Sequence, residues 1–367
     1  MAYAEAAADL LDLEVQLYHM ERRAERSVLR EIQDPFDLMD SEFKRLYRFT
    51  PDLVEELLMD TLGPRLEHQR ITGISPKNQI LAALRFYATG CFQRPVGEQW
   101  GISMSQSSIS RSIHRVTDVI NDAIFRQWMQ FPMTDVARQL AREKFRRAAQ
   151  PFDGAIGVID CSHIAILAPR EHEEAYVNHH GYHSINVQMI CDPDQCILNV
   201  NARFPGARHD AHIWSASAAR RVMERAYNNG ERRTYLLGDS GYPLEPWLLT
   251  PLPHAPAGTP RRAYHDALMS SRNVIERTFG TLKTVWRCMH KHRTLQYDPG
   301  FAGRIVNACA VLHNMCRAHN LVFNDVEDDG EVAEPPVQQL PLPEEFARPH
   351  AVAVRLQNRL IVERWGG

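Results

Sequence analysis

The sequence has no long apolar run. The roughly 18 uninterrupted apolar residues of a membrane span occur nowhere in its 367 residues, and no apolar leader opens it, so neither an anchor nor a secretory route is expected. It also has no surplus of positive charge. The 42 Lys plus Arg stand against 45 Asp plus Glu, a net charge of −3, which excludes a global basic field and leaves any anionic partner to local patches. Without a phosphate-cradling glycine loop, ATP dependence is not expected. The seven cysteines are odd in number and suggest a reducing, intracellular setting rather than a disulfide framework. No internal repeat is found. What is present, 44% hydrophobic and 24% charged residues, is the composition of an ordinary globular chain long enough for two or three domains.

Residues 1–150 predict helices only. Thr50-Pro51 and Ser75-Pro76 each set a capping side chain before a proline at the first helical position, and Gly63-Pro64 and Gly90 supply stops. The stretch "VGEQWGISMSQSSISRSIHRVTDVI" has the spacing of a helix-turn-helix over about 95–120, turning at Gly101, with Ile109, Ile113, Val116 and Ile120 inside. An ordinary helical hairpin fits the same pattern. The outer face of the second helix carries Gln106, Ser107, Ser110, Arg111, His114 and Arg115, residue types that meet bases and phosphates. A basic cluster, Arg142 to Arg147, precedes a change of character. From Gly154, "AIGVIDCSHIAILA" reads as a strand, "HSINVQMICDPDQCILNVNARFPG" as a hairpin turning at "DPDQ", and "TYLLGD" as a further strand. Helices follow a Pro-rich loop at 246–260, so residues 151–322 predict a mixed α/β domain. An acidic, Pro-containing linker without Lys or Arg is expected at 323–346, and a C-terminal helix at 347–367.

Three carboxylates stand out by context. Asp160 interrupts an apolar strand, Asp239 ends "YLLGD" and Glu276 lies on the helix "SSRNVIERTFGTLKTVW". An Asp at a strand end is ordinarily a turn cap. A charge within an apolar strand, however, is costly unless paired or metal-bound, and oxygen donors without a Cys or His cluster select Mg²⁺ or Mn²⁺. Two such ions about 4 Å apart clamp the oxygens of a phosphodiester, the chemistry of nucleases and strand transfer. On the helix, Glu276, Gly280, Lys283, Arg287 and His290 share one face, and the basic surplus continues through Lys291 and Arg293. Phosphate contact is expected there, with an ion-pair face as the alternative. Cys309, His313, Cys316 and His319 have zinc-like intervals, yet the first three also fall along one helical face, and core packing is expected. His179, His180 and His183 are expected to line a loop near the site.

Together "IDCSHIAI", "YVNHHGYHSINVQMICD", "FPGARHDAHIW", "LLGDSGYP", "NVIERTFGTLK" and "CAVLHN" resemble the PIF/Harbinger transposase family. The likeness extends upstream through "FDLMDSEFKRLYRFTPDLVEELL" and "ISPKNQILAALRFYATGCFQ", about Asp34 to Asn320. The resemblance implies an α/β, RNase H-like DDE core behind the helical region. Asp160, Asp239 and Glu276 would be its metal ligands, and His163, Asn186, His209 and Asp210 would orient ligands or substrate. It implies hydrolysis of DNA phosphodiesters by a transposase-derived, metal-dependent nuclease, with strand transfer as an extension. The alternative is a non-catalytic DNA-binding scaffold. The expected partners are DNA and a Myb/SANT-like protein that aids nuclear import, with homo-oligomers admitted and membranes excluded. The expected location is the nucleus, with a cytoplasmic pool. His179-His180 replaces the usual Arg and Lys of relatives, and the turn "GISMSQSS" is slightly long.

Overall fold

The structure, a computed structural model, describes residues 2–67, 73–323 and 347–366. The chain divides into two compact units, Met1–Val119 and Ile120–Gly367. No helix among the described residues is long and apolar enough to cross a membrane.

The first unit is helical: α1 Ala2–Ile32, α2 Asp40–Tyr47, α3 Pro51–Leu53, a π-helical turn Val54–Met59 leading into α4 Asp60–Leu66, then α5 Pro76–Thr89, α6 Gln93–Gly97 and α7 Gln106–Val119. The predicted caps at Thr50, Ser75 and Gly90 are in place, whereas Gly63-Pro64 does not stop its helix: both lie inside α4, which runs on to Leu66. Thr50 Oγ1 accepts from the Leu53 N–H at 3.5 Å and Ser75 Oγ from the Asn78 N–H at 3.3 Å, satisfying amides that the first helical turn leaves free. Gly90 closes α5 in the left-handed conformation, φ 62°. Ile109, Ile113 and Val116 of α7 are buried with Ile80 and Leu84 of α5, and Tyr87 and Thr117 share a buried hydroxyl pair at 2.6 Å. At Gly97 a Cβ would stand 2.3 Å from the Met104 carbonyl oxygen, so the chain can turn this tightly between α6 and α7 only on glycine.

The second unit opens with a π-helical turn Ile120–Ile124, α8 Phe125–Trp128 and α9 Asp135–Arg147. The sheet consists of β1 Ala155–Ala165, β2 Ser184–Cys191, β3 Ile197–Pro205, β4 Tyr235–Leu237 and β5 Leu248–Leu249, in the order β3-β2-β1-β4-β5. β1 runs antiparallel to β2 and parallel to β4, and Asp160 lies opposite Met189 in the register. Around the sheet are α10 Asp210–Ser215, α11 Ala218–Asn228, α12 Pro260–Val285, α13 Pro299–Ala318 and α14 Ala347–Trp365. β1 and β2 are buried nearly throughout, as strands covered on both faces are. Ile156, Ile159, Ile190, Trp214, Leu236 and Trp247 form a buried cluster on the sheet.

The unit boundary at 119/120 lies upstream of the expected one near residue 150. The cause is visible in the bonds of the intervening helices. Asn314 Nδ2 donates to the Trp128 carbonyl at 2.9 Å and Arg142 Nη1 reaches Glu231 Oε1 at 3.1 Å. The basic cluster of α9 is likewise engaged within this unit. Lys144 pairs with Asp192 and with Asp194, and Arg146 and Arg147 pair with Glu143. The "DPDQ" hairpin turn is present, with Asp192 Oδ1 accepting from the Asp194 and Cys196 amides at 2.9 Å each. α12 begins about ten residues earlier than the sequence pattern suggests, capped by Thr259 and entered through Pro260. The acidic linker at 324–346 lies outside the described residues.

Candidate active site

β1 carries Asp160 just beyond the end of its pairing with the short β4, and β4 leads through Gly238 to Asp239. Parallel neighbours end their strands at the same sheet edge, so these two carboxylates, 79 positions apart in sequence, converge. Asp210, the first residue of α10, joins them. Asp160, Asp210 and Asp239 each offer a carboxylate oxygen, and the three atoms lie within 4.8 Å of one another. Asp239 is also the turn cap that its local sequence suggests: its Oδ1 accepts from the Gly241 N–H at 3.0 Å. Asp210 is steadied by Asn186, whose Nδ2 donates to Asp210 Oδ1 at 3.1 Å and to the Arg208 carbonyl at 2.8 Å.

A buried cation faces this group. Arg272 of α12 donates from Nη2 to Asp160 Oδ2 at 2.8 Å, and Asp160 Oδ1 accepts from the Cys161 amide at 2.9 Å. Burial pushes the Asp160 carboxyl well above the usual range; Arg272 opposes this, while Asp239 and Asp210 add to it. Burial also raises Asp239, against Arg272 and the backbone amides of its turn. One guanidinium thus faces three crowded carboxylates.

Glu276 stands outside the three-aspartate group. Its side chain is 51% exposed, and Oε1 lies 4.0 Å from Arg272 Nη1, one helical turn back on α12. It therefore meets Asp160 through Arg272. The basic face expected beyond Glu276 is not continuous, because α12 ends at Val285 and the chain passes into a short 3₁₀ turn at Arg287–Met289. Lys283 is buried, Arg287 half-buried, and only Lys291 and Arg293 are exposed. Lys291 Nζ lies 5.1 Å from the Tyr182 ring centre.

His163 is buried, with Nδ1 3.0 Å from Ser184 Oγ. Burial, with His179, His180 and Lys283 adding to it, lowers its pKa to about 3. His179 and His180 lie against each other, rings tilted by 41° with centroids 3.8 Å apart, and both are edge-on to His163. His209 is exposed and caps α10 without a side-chain bond to the helix. On α7, Gln106, Ser107 and Arg111 are exposed, and Ser110, His114 and Arg115 are half-buried. Arg115 is held by Gln79 Oε1 at 2.9 Å and the Leu66 carbonyl at 3.0 Å. Cys309, His313 and Cys316 are core residues, as expected, and His313 Nε2 lies 2.8 Å from the Gln195 carbonyl.

Arg272 was not singled out by the sequence pattern, although its i, i+4 spacing to Glu276 on one helical face was available as a signal. Asp210 was expected only to orient others, yet it stands in the group itself.

A mixed five-stranded sheet with acidic residues gathered at the edge of its parallel strands is the layout of a DDE superfamily endonuclease, and the profile of that family matches residues 159–314. The chain is 34% identical over 333 residues to the Bos taurus protein named "Putative nuclease HARBI1", covering 90% of this chain and 91% of the relative. The Mus musculus protein of the same name is 35% identical over 330 residues, covering 89% and 90%. A more distant similarity, 26% over 279 residues, joins it to the Arabidopsis thaliana "Protein ALP1-like", covering 72% of this chain and 65% of the relative. The chain belongs to the Harbinger transposase-derived nuclease family. No solved structure matches it.

Proposed function

We propose that this protein hydrolyses DNA phosphodiester bonds at the aspartate group of an RNase H-like DDE core. The observation that carries the reading is the convergence of Asp160, Asp210 and Asp239 within 4.8 Å, where three carboxylates face one guanidinium. The donor set fits a hard divalent cation: it is all oxygen, crowded and short of positive charge. Asp160 and Asp239 would hold Mg²⁺ or Mn²⁺ with Asp210, and Glu276 would join on reorientation of its exposed side chain. When bound, such ions supply Lewis-acid stabilisation and an activated water, and a pair of them clamps both oxygens of an in-line displacement.

The protein's own residues prepare that chemistry. The Asp239 turn fixes one carboxylate against the backbone, Asn186 orients Asp210, and Arg272 holds in place Asp160, the carboxylate that would serve as a ligand. His163, neutral at physiological pH because of its burial, is a hydrogen-bonding support rather than a charged contact. α6 and α7 serve as a helix-turn-helix in this reading, with Gln106, Ser107 and Arg111 facing DNA. Strand transfer, a Myb/SANT-like partner, self-association and residence in the nucleus with a cytoplasmic pool belong to the same proposal and rest on the family resemblance. Two observations favour the alternative of a non-catalytic DNA-binding scaffold. Arg272 neutralises Asp160, and Glu276 lies outside the group.

Incubation of the full chain with supercoiled plasmid separates the two. Nicks that form in Mg²⁺ or Mn²⁺ and vanish with chelator support the nuclease, whereas DNA binding without nicking in either metal supports the scaffold.

A further inference from the structure

Within the first unit, α1 and the start of α7 face each other across a groove of about 1620 Å³. Seven arginines line it against two glutamates, although the whole chain has net charge −3. Four of the arginines, Arg22, Arg23, Arg26 and Arg30, come from the last three turns of α1. The opposite wall presents Gln106, Ser107 and Arg111.

Some of this charge is structural. Arg30 Nη1 donates to the Ser103 carbonyl at 2.7 Å and ties α1 to the turn before α7. Arg115 is held by Gln79 and the end of α4, and Arg22 pairs with Glu25 at 2.6 Å along its own helix. Arg94 pairs with Glu98 at 3.1 Å, but ion pairing does not account for Arg23 and Arg26. Arg23 is exposed and Arg26 half-buried, and no carboxylate pairs with either among the described residues. Burial holds the Arg30 guanidinium below its usual range; Glu31 opposes this, and the neighbouring Arg26 adds to it. Like charges gathered around a concave surface repel one another, and an anion that fills the groove removes that cost.

We propose that this groove binds the sugar–phosphate backbone of duplex DNA, with Arg22, Arg23 and Arg26 of α1 as a phosphate wall opposite the base-facing Gln106 and Ser107 of α7. The inference rests on the reading that the protein acts on DNA, and it gives α1 a part in binding. The chemistry of the two walls carries it. Guanidinium groups bind phosphate in a two-pronged fashion, whereas amide and hydroxyl groups on an exposed helix start read base edges. Phosphate contacts set register and add affinity for any sequence, so α1 contributes strength and α7 contributes preference.

The test is fluorescence anisotropy of the full chain with a random-sequence duplex in EDTA, between 50 and 300 mM KCl, with plasmid nicking in Mn²⁺ measured separately. Each neutralised phosphate contributes a slope of about −0.9 in log affinity against log salt. Arg22→Gln/Arg23→Gln/Arg26→Gln is therefore expected to flatten the slope by about 2.7 and to weaken binding roughly tenfold to a hundredfold at low salt. Arg23→Gln alone, at an exposed position, flattens it by about 1 with the fold intact. Arg45→Gln on α2, outside the groove, leaves it unchanged. Unaltered affinity and slope in both groove variants overturn the assignment while metal-dependent nicking by the wild type keeps the nuclease reading standing. Tighter binding of single-stranded RNA than of the duplex also overturns it. Loss of both binding and nicking in the wild type removes the two readings together.

Discussion

Replacing Asp239 with Asn should stabilise the metal-free protein and abolish its stabilisation by metal. Asp239 lies against Asp160 and Asp210 with ligand oxygens no more than 4.8 Å apart. At that separation and an effective dielectric near 20, each like-charge pair costs about 3.5 kcal/mol. Attraction to Arg272 cancels about one of the two pairs. Relaxation and partial solvation of the remaining one leave a net gain of about 1–2 kcal/mol, or roughly 3–6 °C in melting temperature for a domain of this size. Asn keeps an oxygen for the Gly241 amide, so the turn survives. The sign with pH follows from burial. The carboxyls of Asp160 and Asp239 are raised in the folded chain, so the folded state holds more protons than the unfolded one above the ordinary Asp value, and wild-type stability falls as pH rises. The advantage of the variant should accordingly grow from pH 5 to pH 8 in EDTA. With saturating Mg²⁺ or Mn²⁺ the order reverses, because at about 100 times Kd a ligand adds about 2.7 kcal/mol to the protein that binds it. Scanning calorimetry in EDTA and in metal measures both. A variant less stable than the wild type in EDTA, or stabilised equally by metal, refutes this account of the site.

Arg272→Met should destabilise the metal-free protein by about 3–5 kcal/mol by leaving Asp160 uncompensated, with Mn²⁺ restoring part of the loss; urea unfolding in EDTA and in Mn²⁺ tests this, and equal losses in both would contradict it. Glu245, fully buried, accepts from Trp214 Nε1 at 2.6 Å and from Arg220 at 2.7 Å. Glu245→Gln should therefore cost about 3 kcal/mol in urea unfolding without changing metal affinity. His163, lowered to about pH 3, is neutral in the folded chain and titrates near 6.5 when unfolded. Its contribution is present above about pH 6.5 and lost as pH falls toward 3. His163→Asn should flatten the decline in unfolding midpoint between pH 7 and pH 5, and in the wild type the imidazole NMR signals of His163 should not titrate across that range.

The sequence reveals the sheet because its strands are apolar runs between turn residues, and it reveals Asp160 and Asp239 because each breaks such a run. It also suggests two readings of Asp239, as turn cap and as ligand candidate, and one side chain has both geometries: Oδ1 meets the Gly241 amide while the carboxylate lies beside Asp160. Membership of Asp210 in the group depends on where α10 starts relative to β1, a tertiary fact with no local periodicity behind it. Arg272 pairs with a residue 112 positions away, beyond the reach of helical spacing. The basic face on α12 misleads for a different reason. A four-residue step keeps its direction only while the helix lasts, and at Trp286 the backbone leaves it with ψ 73°, so Arg287, Lys291 and Arg293 do not extend the row begun at Glu276 and Lys283. Likewise the positive charge of α9 looks available in sequence but is taken up by Glu143, Asp192 and Asp194.

The most direct measurement is the rate of plasmid nicking in Mn²⁺ by the wild type, Asp160→Asn, Asp239→Asn and Glu276→Gln, all at concentrations that saturate the DNA. The account predicts losses on the order of 10³-fold or more for both aspartate variants, and a comparable loss for Glu276→Gln if its side chain turns in on metal binding. Nicking by Asp239→Asn at the wild-type rate would contradict it.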